Sequence, residues 1–435
     1  MAVLGLALVG GNWPNSSPAE ATSRLSDDPP PAPLNKEELA FLLGKSGLDQ
    51  GQPDLLKVEA GPGQAFLIET SLDPKFQRYL NQRIRSAGAV MVAVAALDAK
   101  TGQVKALASW DRLPGKTNYA LTPAFPAASV FKMVTAAAAM ERGGLTPNSK
   151  IPFHGRSHTL YKGQLKIPEP NPTRKPTLTE SFARSFNPVF GKLANQPVAP
   201  QTLEQFARRF GFNQAIRFEL PVSPSRVRVP RDDTFGLAAI GCGFNRETTL
   251  SPIHGALMAA AVVNRGLMME PSIVQRVTVL QDGQVGPEVY RSQPQVLRRS
   301  LTPQTAARMR RLMAATITKG TSRRTFRRAS RDRVLKHLLL GGKTGSINDS
   351  SQRYRIDWFV GYGQDKRTGQ TLSLGLVVAH DIKRRGTSSR VLARKALRYY
   401  FDPRARKVVQ PKPKAKPKQT KTRVIEKKPS SKSSG

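Results

Sequence analysis

The chain has 435 residues and a formal charge of +39, from 69 Lys and Arg against 30 Asp and Glu. That length makes two or three average domains or one large unit with extensions, and that charge predicts attraction to polyanions while saying little about fold. A single cysteine, Cys242, excludes an intramolecular disulfide and leaves the compartment unassigned.

Residues 2–11 are apolar, but they are about half the length a membrane span needs and lack the basic leader of a secretory signal. They read as the tail of an anchor whose beginning is missing, or as a short apolar start. From 12 to about 61 the composition is that of a linker, rich in Pro, Ser, Gly and Asp, with one short helix over 36–43. The first expected segment is therefore 1–64. A folded unit over 65–403 follows, and a Lys/Pro-rich tail over 404–435 closes the chain.

Inside the folded unit, Asp73-Pro74 reads as an N-cap and first helical residue, with Phe76, Leu80 and Ile84 at helical spacing. Runs at 90–95 and 104–108 read as strands joined by a turn at 98–102. Residues 133–140 read as a nearly all-apolar helix, buried on every side and stopped by Gly143-Gly144. The stretch from 149 to 235 mixes loops with short helices. Helices are expected at 250–265, entered through Ser251-Pro252, and at 303–318, where the pattern is basic and amphipathic. Strands return at 334–345, 357–362 and 371–379, and a helix over 388–401 ends the unit. Two strands before the helical block and three after it predict one antiparallel sheet with helices on its faces, an α+β fold.

Three short motifs carry chemistry. Ser129 and Lys132 sit three residues apart and so share a helix face, where a neutral amine could take the hydroxyl proton. Ser185-Phe186-Asn187 falls at a helix end or in a loop between helices and offers a hydroxyl to relay protons and an amide to hold a peptide carbonyl. Lys343-Thr344-Gly345-Ser346 lies on a late strand after Gly341-Gly342, whose glycines suggest close backbone approach by a ligand. Each motif is weak alone. Lys100-Thr101-Gly102 and Ser346-Ile347-Asn348 are decoys of the same spelling, and a Ser-x-x-Lys spacing arises by chance about once or twice in a chain of this size. The ordered set, each member on a fitting element, is specific. His154 and His158 have zinc-like spacing, but Pro152 and Gly155 argue against a helix there, and no metal or cofactor is expected.

On these motifs the sequence resembles the transpeptidase domain of penicillin-binding proteins, which belongs with the serine β-lactamases to one superfamily. The likeness runs from about Leu67 to Phe401. It includes the stretch 69–77, the hairpin 95–106, Leu250-Ser251-Pro252 and Asp357-Trp358-Phe359-Val360-Gly361-Tyr362. Ala127-Ala128 stands where the family usually has Pro-Gly, Cys242 where glutamine is common, and Ser346 where threonine is more frequent. The stretch before Leu67 is too short for the family's glycosyltransferase module or its full pedestal domain.

The resemblance implies an α/β/α sandwich and peptidoglycan crosslinking through a serine acyl-enzyme. Ser129 would be the nucleophile, Lys132 the base kept neutral by burial and by Lys343, and Ser185 the proton relay. Asn187, Thr344, Gly345 and Ser346 would bind substrate, and the backbone N–H groups of Ser129 and Ser346 would form the oxyanion hole. Stem peptides and β-lactam antibiotics are the implied partners, with a cell-wall synthesis complex of unknown members. The implied location is the periplasmic outer face of the cytoplasmic membrane. The alternatives are a serine β-lactamase or β-lactam sensor of the same fold, and a basic envelope or nucleic-acid binding protein with an inactive catalytic fold. Glu204 and Glu219 follow Asn187, but neither has the Asn four residues on that a deacylating site of one lactamase type shows. The tail, with cations alternating with Pro or Ala over 412–418, is expected to be extended and to bind anionic membrane or wall polymer.

Overall fold

The apolar runs early and late in the chain come together as one antiparallel sheet of five strands in the computed structural model, which describes residues 34–46, 54–61, 64–112 and 117–406. The order across the sheet is Leu338–Asn348, Tyr354–Asp365, Thr371–Asp381, Met91–Leu97 and Val104–Asp111. The late strands extend beyond the expected ranges, and 335–337 is a short 3-10 turn rather than strand. Strand Met91–Leu97 is a continuous apolar run because it is buried on both faces. Val92, Val94 and Ala96 face one core, and Ala93, Ala95 and Leu97 face the other.

Helices cover both faces, which gives the expected layered α+β sandwich. On one side, Pro74–Arg85 and Ser389–Tyr400 bury Phe76, Leu80, Leu392, Leu397 and Tyr400. Asp73 caps the first of these helices by accepting from the Phe76 N–H at 3.0 Å. On the other side lies Pro252–Val263, every residue of it buried. The sheet admits this helix at Gly375, where a Cβ would stand 1.9 Å from the Pro252 carbonyl oxygen. Beyond it sits a helical lobe around Lys132–Glu141, in which Lys132 through Met140 are all buried. Helix Pro303–Thr318 lies along strand Leu338–Asn348, its Met309, Leu312 and Met313 turned inward.

One region departs from the sequence reading. Helix Lys36–Ser46 buries Leu39, Leu42 and Leu43, and strand Leu55–Gly61 pairs with Gln64–Thr70. That hairpin joins Val274–Gln281 and Gln284–Arg291 in a second, four-stranded sheet. The boundary at 64/65 thus falls inside a hairpin, and residues 34–46 and 54–61 belong to the folded unit. The linker reading failed because the partner strands lie some two hundred residues away (Leu67 pairs with Thr278), where no local pattern announces them. No helix among the described residues is long and apolar enough to cross a membrane. The apolar start and the tail beyond Arg406 lie outside the described residues.

Candidate active site

Ser129 sits in a 3-10 turn, Ala128–Phe131, that runs directly into helix Lys132–Glu141. The turn is pinned from below: the Ala127 N–H donates to the Thr248 carbonyl at 2.7 Å, and Trp358 Nε1 donates to the Pro126 carbonyl at 2.8 Å. Ala128 is held at φ 49°, a left-handed conformation costing about 1–2 kcal/mol for a residue with a Cβ. Gly243 packs on it so closely that a Cβ there would lie 1.9 Å from the Ala128 oxygen. The nucleophile's turn is therefore clamped between two elements that follow it in the chain by more than a hundred residues.

Lys132 is fully buried, and its Nζ donates to Ser129 Oγ (2.8 Å), Asn187 Oδ1 (2.8 Å) and the Cys242 carbonyl (2.5 Å). Burial pushes its pKa down from 10.5 to about 8. Lys343 is equally buried and donates to Ser185 Oγ (3.0 Å) and the Thr344 carbonyl (2.7 Å). Its pKa falls well below the usual lysine range, through burial first and the charge of Lys132 second. Both amines are thus pushed toward the neutral form, Lys132 by burial and Lys343 by burial and the charge of Lys132.

The other predicted residues converge on the same place. Ser185 ends helix Leu178–Arg184 in the left-handed region (φ 63°), which turns its hydroxyl toward Lys343. Asn187 opens helix Asn187–Leu193 and donates through Nδ2 to the His158 carbonyl at 2.9 Å. Strand Leu338–Asn348 is the edge of the main sheet, so alternate N–H and C=O groups along it have no partner strand. Gly345 on that edge touches the Ser129 turn, since a Cβ there would stand 3.3 Å from the Ser129 nitrogen. Gly341 and Gly342 serve a different purpose from the one expected: added Cβ atoms would strike the Tyr362 and Phe359 rings, so they make room for the core. Ser346 Oγ donates to Asp357 Oδ1 at 3.1 Å, and Asp357 Oδ2 accepts from the Ser389 N–H and hydroxyl, both at 2.9 Å.

Together these residues form a cleft of about 340 Å³ lined by Ser129, Ser185, Asn187, Thr344 and Ser346. It also holds residues that sequence reasoning missed: His158, Phe244, Thr321 and Arg355. Thr321 and Thr344 share a hydrogen bond between hydroxyls at 2.6 Å. Partial burial and then the charge of Lys132 hold His158 below the usual histidine pKa. None of the four has a motif of its own. The two histidines of zinc-like spacing diverge, because His154 Nδ1 pairs with Glu169 Oε1 at 2.8 Å while His158 faces the cleft. Neither candidate carboxylate reaches the site. Glu204 pairs with Arg208 at 3.6 Å on the surface, and buried Glu219 accepts from Ser272 Oγ at 2.7 Å. A hydroxyl beside a depressed-pKa amine, with a second such pair opposite and an open strand edge between, can form and break an ester on a peptide-like substrate.

A family model described as the penicillin binding protein transpeptidase domain matches residues 92–398. The peptidoglycan D,D-transpeptidase PbpA of Mycobacterium tuberculosis is 28% identical over 282 residues, covering 57% of this chain and 55% of the relative. The chain thus spans about half the length of the curated relatives it matches. The crystal structure of PBPA from the same organism superposes with a TM-score of 0.60 at 22% identity, over 76% of this chain and 80% of that one. Its penicillin G acyl-enzyme complex gives 0.58 at 23% identity, over 76% and 79%. At that identity the superpositions establish the fold.

Proposed function

Because the chain belongs to the penicillin-binding protein transpeptidase family, we propose that it is a peptidoglycan D,D-transpeptidase that works through an acyl-enzyme on Ser129 and is trapped there by β-lactams. The observation that carries this reading is the pair of buried amine–hydroxyl contacts facing one cleft, Lys132 with Ser129 and Lys343 with Ser185. Once Lys132 is neutral, it takes the Ser129 proton as Oγ attacks the carbonyl of the penultimate D-Ala. The C–N bond to the terminal D-Ala then breaks, and Ser185 delivers a proton to the departing amine. The Ser129 and Ser346 N–H groups form the oxyanion hole in this reading, each such donor being worth about 3 kcal/mol. Asn187 holds the substrate amide, and Thr344 with Ser346 receives the terminal carboxylate. An amine from a second strand attacks the ester, closes the crosslink and restores the Ser129 hydroxyl.

One lactamase type needs a carboxylate to activate water, and no carboxylate lines the cleft among the described residues. The stem-peptide substrate would place the domain in the cell envelope, outside the cytoplasmic membrane. Labelling with penicillin G tests the proposal: intact mass rises by one penicillin per chain, Ser129→Ala abolishes the rise, and the adduct lasts minutes or longer. Labelling that survives in Ser129→Ala sinks the mechanism, and rapid drug turnover moves the protein to the lactamase class.

A further inference from the structure

Charge is spread unevenly along the edge strand of the cleft. Arg355 is the one arginine, lysine or carboxylate that lines the cleft among the described residues, and its side chain makes no ion pair or hydrogen bond there. It is the cross-strand partner of Asn348, two residues beyond Ser346 on strand Leu338–Asn348. Just outside the cleft, Arg246 Nε donates to the Asn348 carbonyl at 2.9 Å. Pairing of a ligand backbone with the strand therefore stops at Asn348, and whatever lies beyond meets side chains. The nearby acids are held by their own neighbours. Asp357 accepts from Ser346 and Ser389, and Asp349 accepts from the Tyr354 N–H at 2.8 Å. Phe244, half-exposed, lines the cleft from the loop that carries Arg246.

Two points of attachment give the donor peptide a direction. In the transpeptidase reading its terminal carboxylate lies with Thr344, at the end that Thr321 closes through the 2.6 Å bond between hydroxyls. The carbonyl under attack lies between Ser129 and the Ser346 N–H. Toward its own N-terminus the donor therefore continues from Ser346 to Asn348, away from Thr321. Asn348 stands about 7 Å past Ser346 at the rise of a strand. The residue before the penultimate D-Ala covers about half of that length, and its side chain covers the rest.

We propose that Arg355 selects the donor by a carboxylate on the side chain of the residue before the D-Ala pair, with Phe244 carrying the methylenes of that side chain. The proposal rests on the transpeptidase reading and names the donor class of the same site. A stem peptide whose diamino acid ends in a carboxylate as well as an amine is preferred over one that ends in the amine alone. The chain's overall charge of +39 also favours anions, but that field does not depend on any single arginine.

The acylamino side chain of a penicillin leaves the reacting carbonyl in the same direction, so it probes this end of the cleft without an acceptor. Second-order acylation of the full chain is measured by intact mass with two penicillins. The side chain of one is a seven-carbon diacid ending in a free carboxylate, and that of the other ends in the carboxamide. The carboxylate should be favoured about fivefold at low salt, the upper range for a part-exposed ion pair. The ratio should fall to about one in Arg355→Gln and below one in Arg355→Glu, and most of it should return in Arg355→Lys. Arg353→Gln removes the same charge from an exposed position off the cleft and should keep the ratio. Unfolding midpoints show that the variants are folded, and the ratio cancels any general change in reactivity. Equal rates for the two penicillins on the unaltered chain overturn the proposal. So does a ratio that survives in Arg355→Gln and Arg355→Glu, or one that is lost equally in Arg353→Gln, since either assigns the preference to the overall charge. Failure of both penicillins to acylate the unaltered chain counts against the transpeptidase reading instead.

Discussion

The Ser129–Lys132 half of the cleft and the Ser185–Lys343 half look like copies of one device. Each has a hydroxyl beside a fully buried lysine, and each lysine stands over a phenylalanine ring, Lys132 5.6 Å from Phe190 and Lys343 5.5 Å from Phe182. Each half also includes a non-glycine residue in the left-handed region, Ala128 at φ 49° and Ser185 at φ 63°. They differ in what surrounds the amine. Lys132 has three acceptors, including the carbonyl of Cys242, and Lys343 has two. Burial disfavours both charges, and at Lys343 the charge of Lys132 adds to it. The extra acceptor on Lys132 favours its charged form, so identical side chains at similar depth stand in different electrostatic surroundings.

Removing Lys132 is the largest way to break this asymmetry. Lys132→Met should slow penicillin acylation by about 10²–10⁴, the usual contribution of a general base, as read by stopped-flow labelling. Lys132→Arg should be as slow, since a guanidinium stays charged. A rate within tenfold of wild type in either variant would remove Lys132 as the base. In Lys132→Met the pKa of Lys343 should also rise, because the nearby charge that disfavours its ammonium is gone.

Lys343→Met should cost about 10² in acylation, toward the lower end for a proton-relay partner. It should leave the pH midpoint of the remaining activity near that of wild type, because burial and not Lys343 sets the Lys132 pKa. A midpoint displaced by about one unit or more would show that Lys343 carries charge and that the two halves are equivalent.

The pH profile itself sharpens the comparison. With Lys132 titrating at about 8, only about one molecule in ten has the neutral base at pH 7. Acylation should therefore rise about tenfold per unit below pH 8 and level off above it. A profile flat from pH 6 to 9 would mean that the proton on Lys132 does not limit the attack.

The smallest effect concerns the backbone. Ala128→Gly removes a left-handed penalty of about 1–2 kcal/mol and adds about 0.5–1 kcal/mol of unfolded-chain entropy. The protein should become about 0.5–1 kcal/mol more stable in denaturant titration, with the acylation midpoint unchanged. Destabilisation instead would show that the methyl group's contacts at the Gly345 strand outweigh the strain.

Local pattern in the chain determined the elements and the identity of the reactive groups. Helix Pro303–Thr318 lies where its amphipathic spacing places it, and Ser251 caps Pro252–Val263 by accepting from the His254 N–H at 3.4 Å. The inner strand Met91–Leu97 was legible because a strand buried on both faces is an unbroken apolar run. Ser129, Lys132, Ser185, Asn187 and Lys343 could be singled out because their chemistry belongs to their side chains. Tertiary structure alone decided the second sheet, whose hairpin at 55–70 finds its partner at 274–281. It alone brought Thr321 to Thr344 and Asp357 to Ser346, pairs with no shared motif. It also decided the surroundings of the Lys132 amine, because its third acceptor is a backbone carbonyl at Cys242. Every residue carries a backbone carbonyl, so no residue type in the sequence marks the one that will matter; only the folded path of the chain selects it.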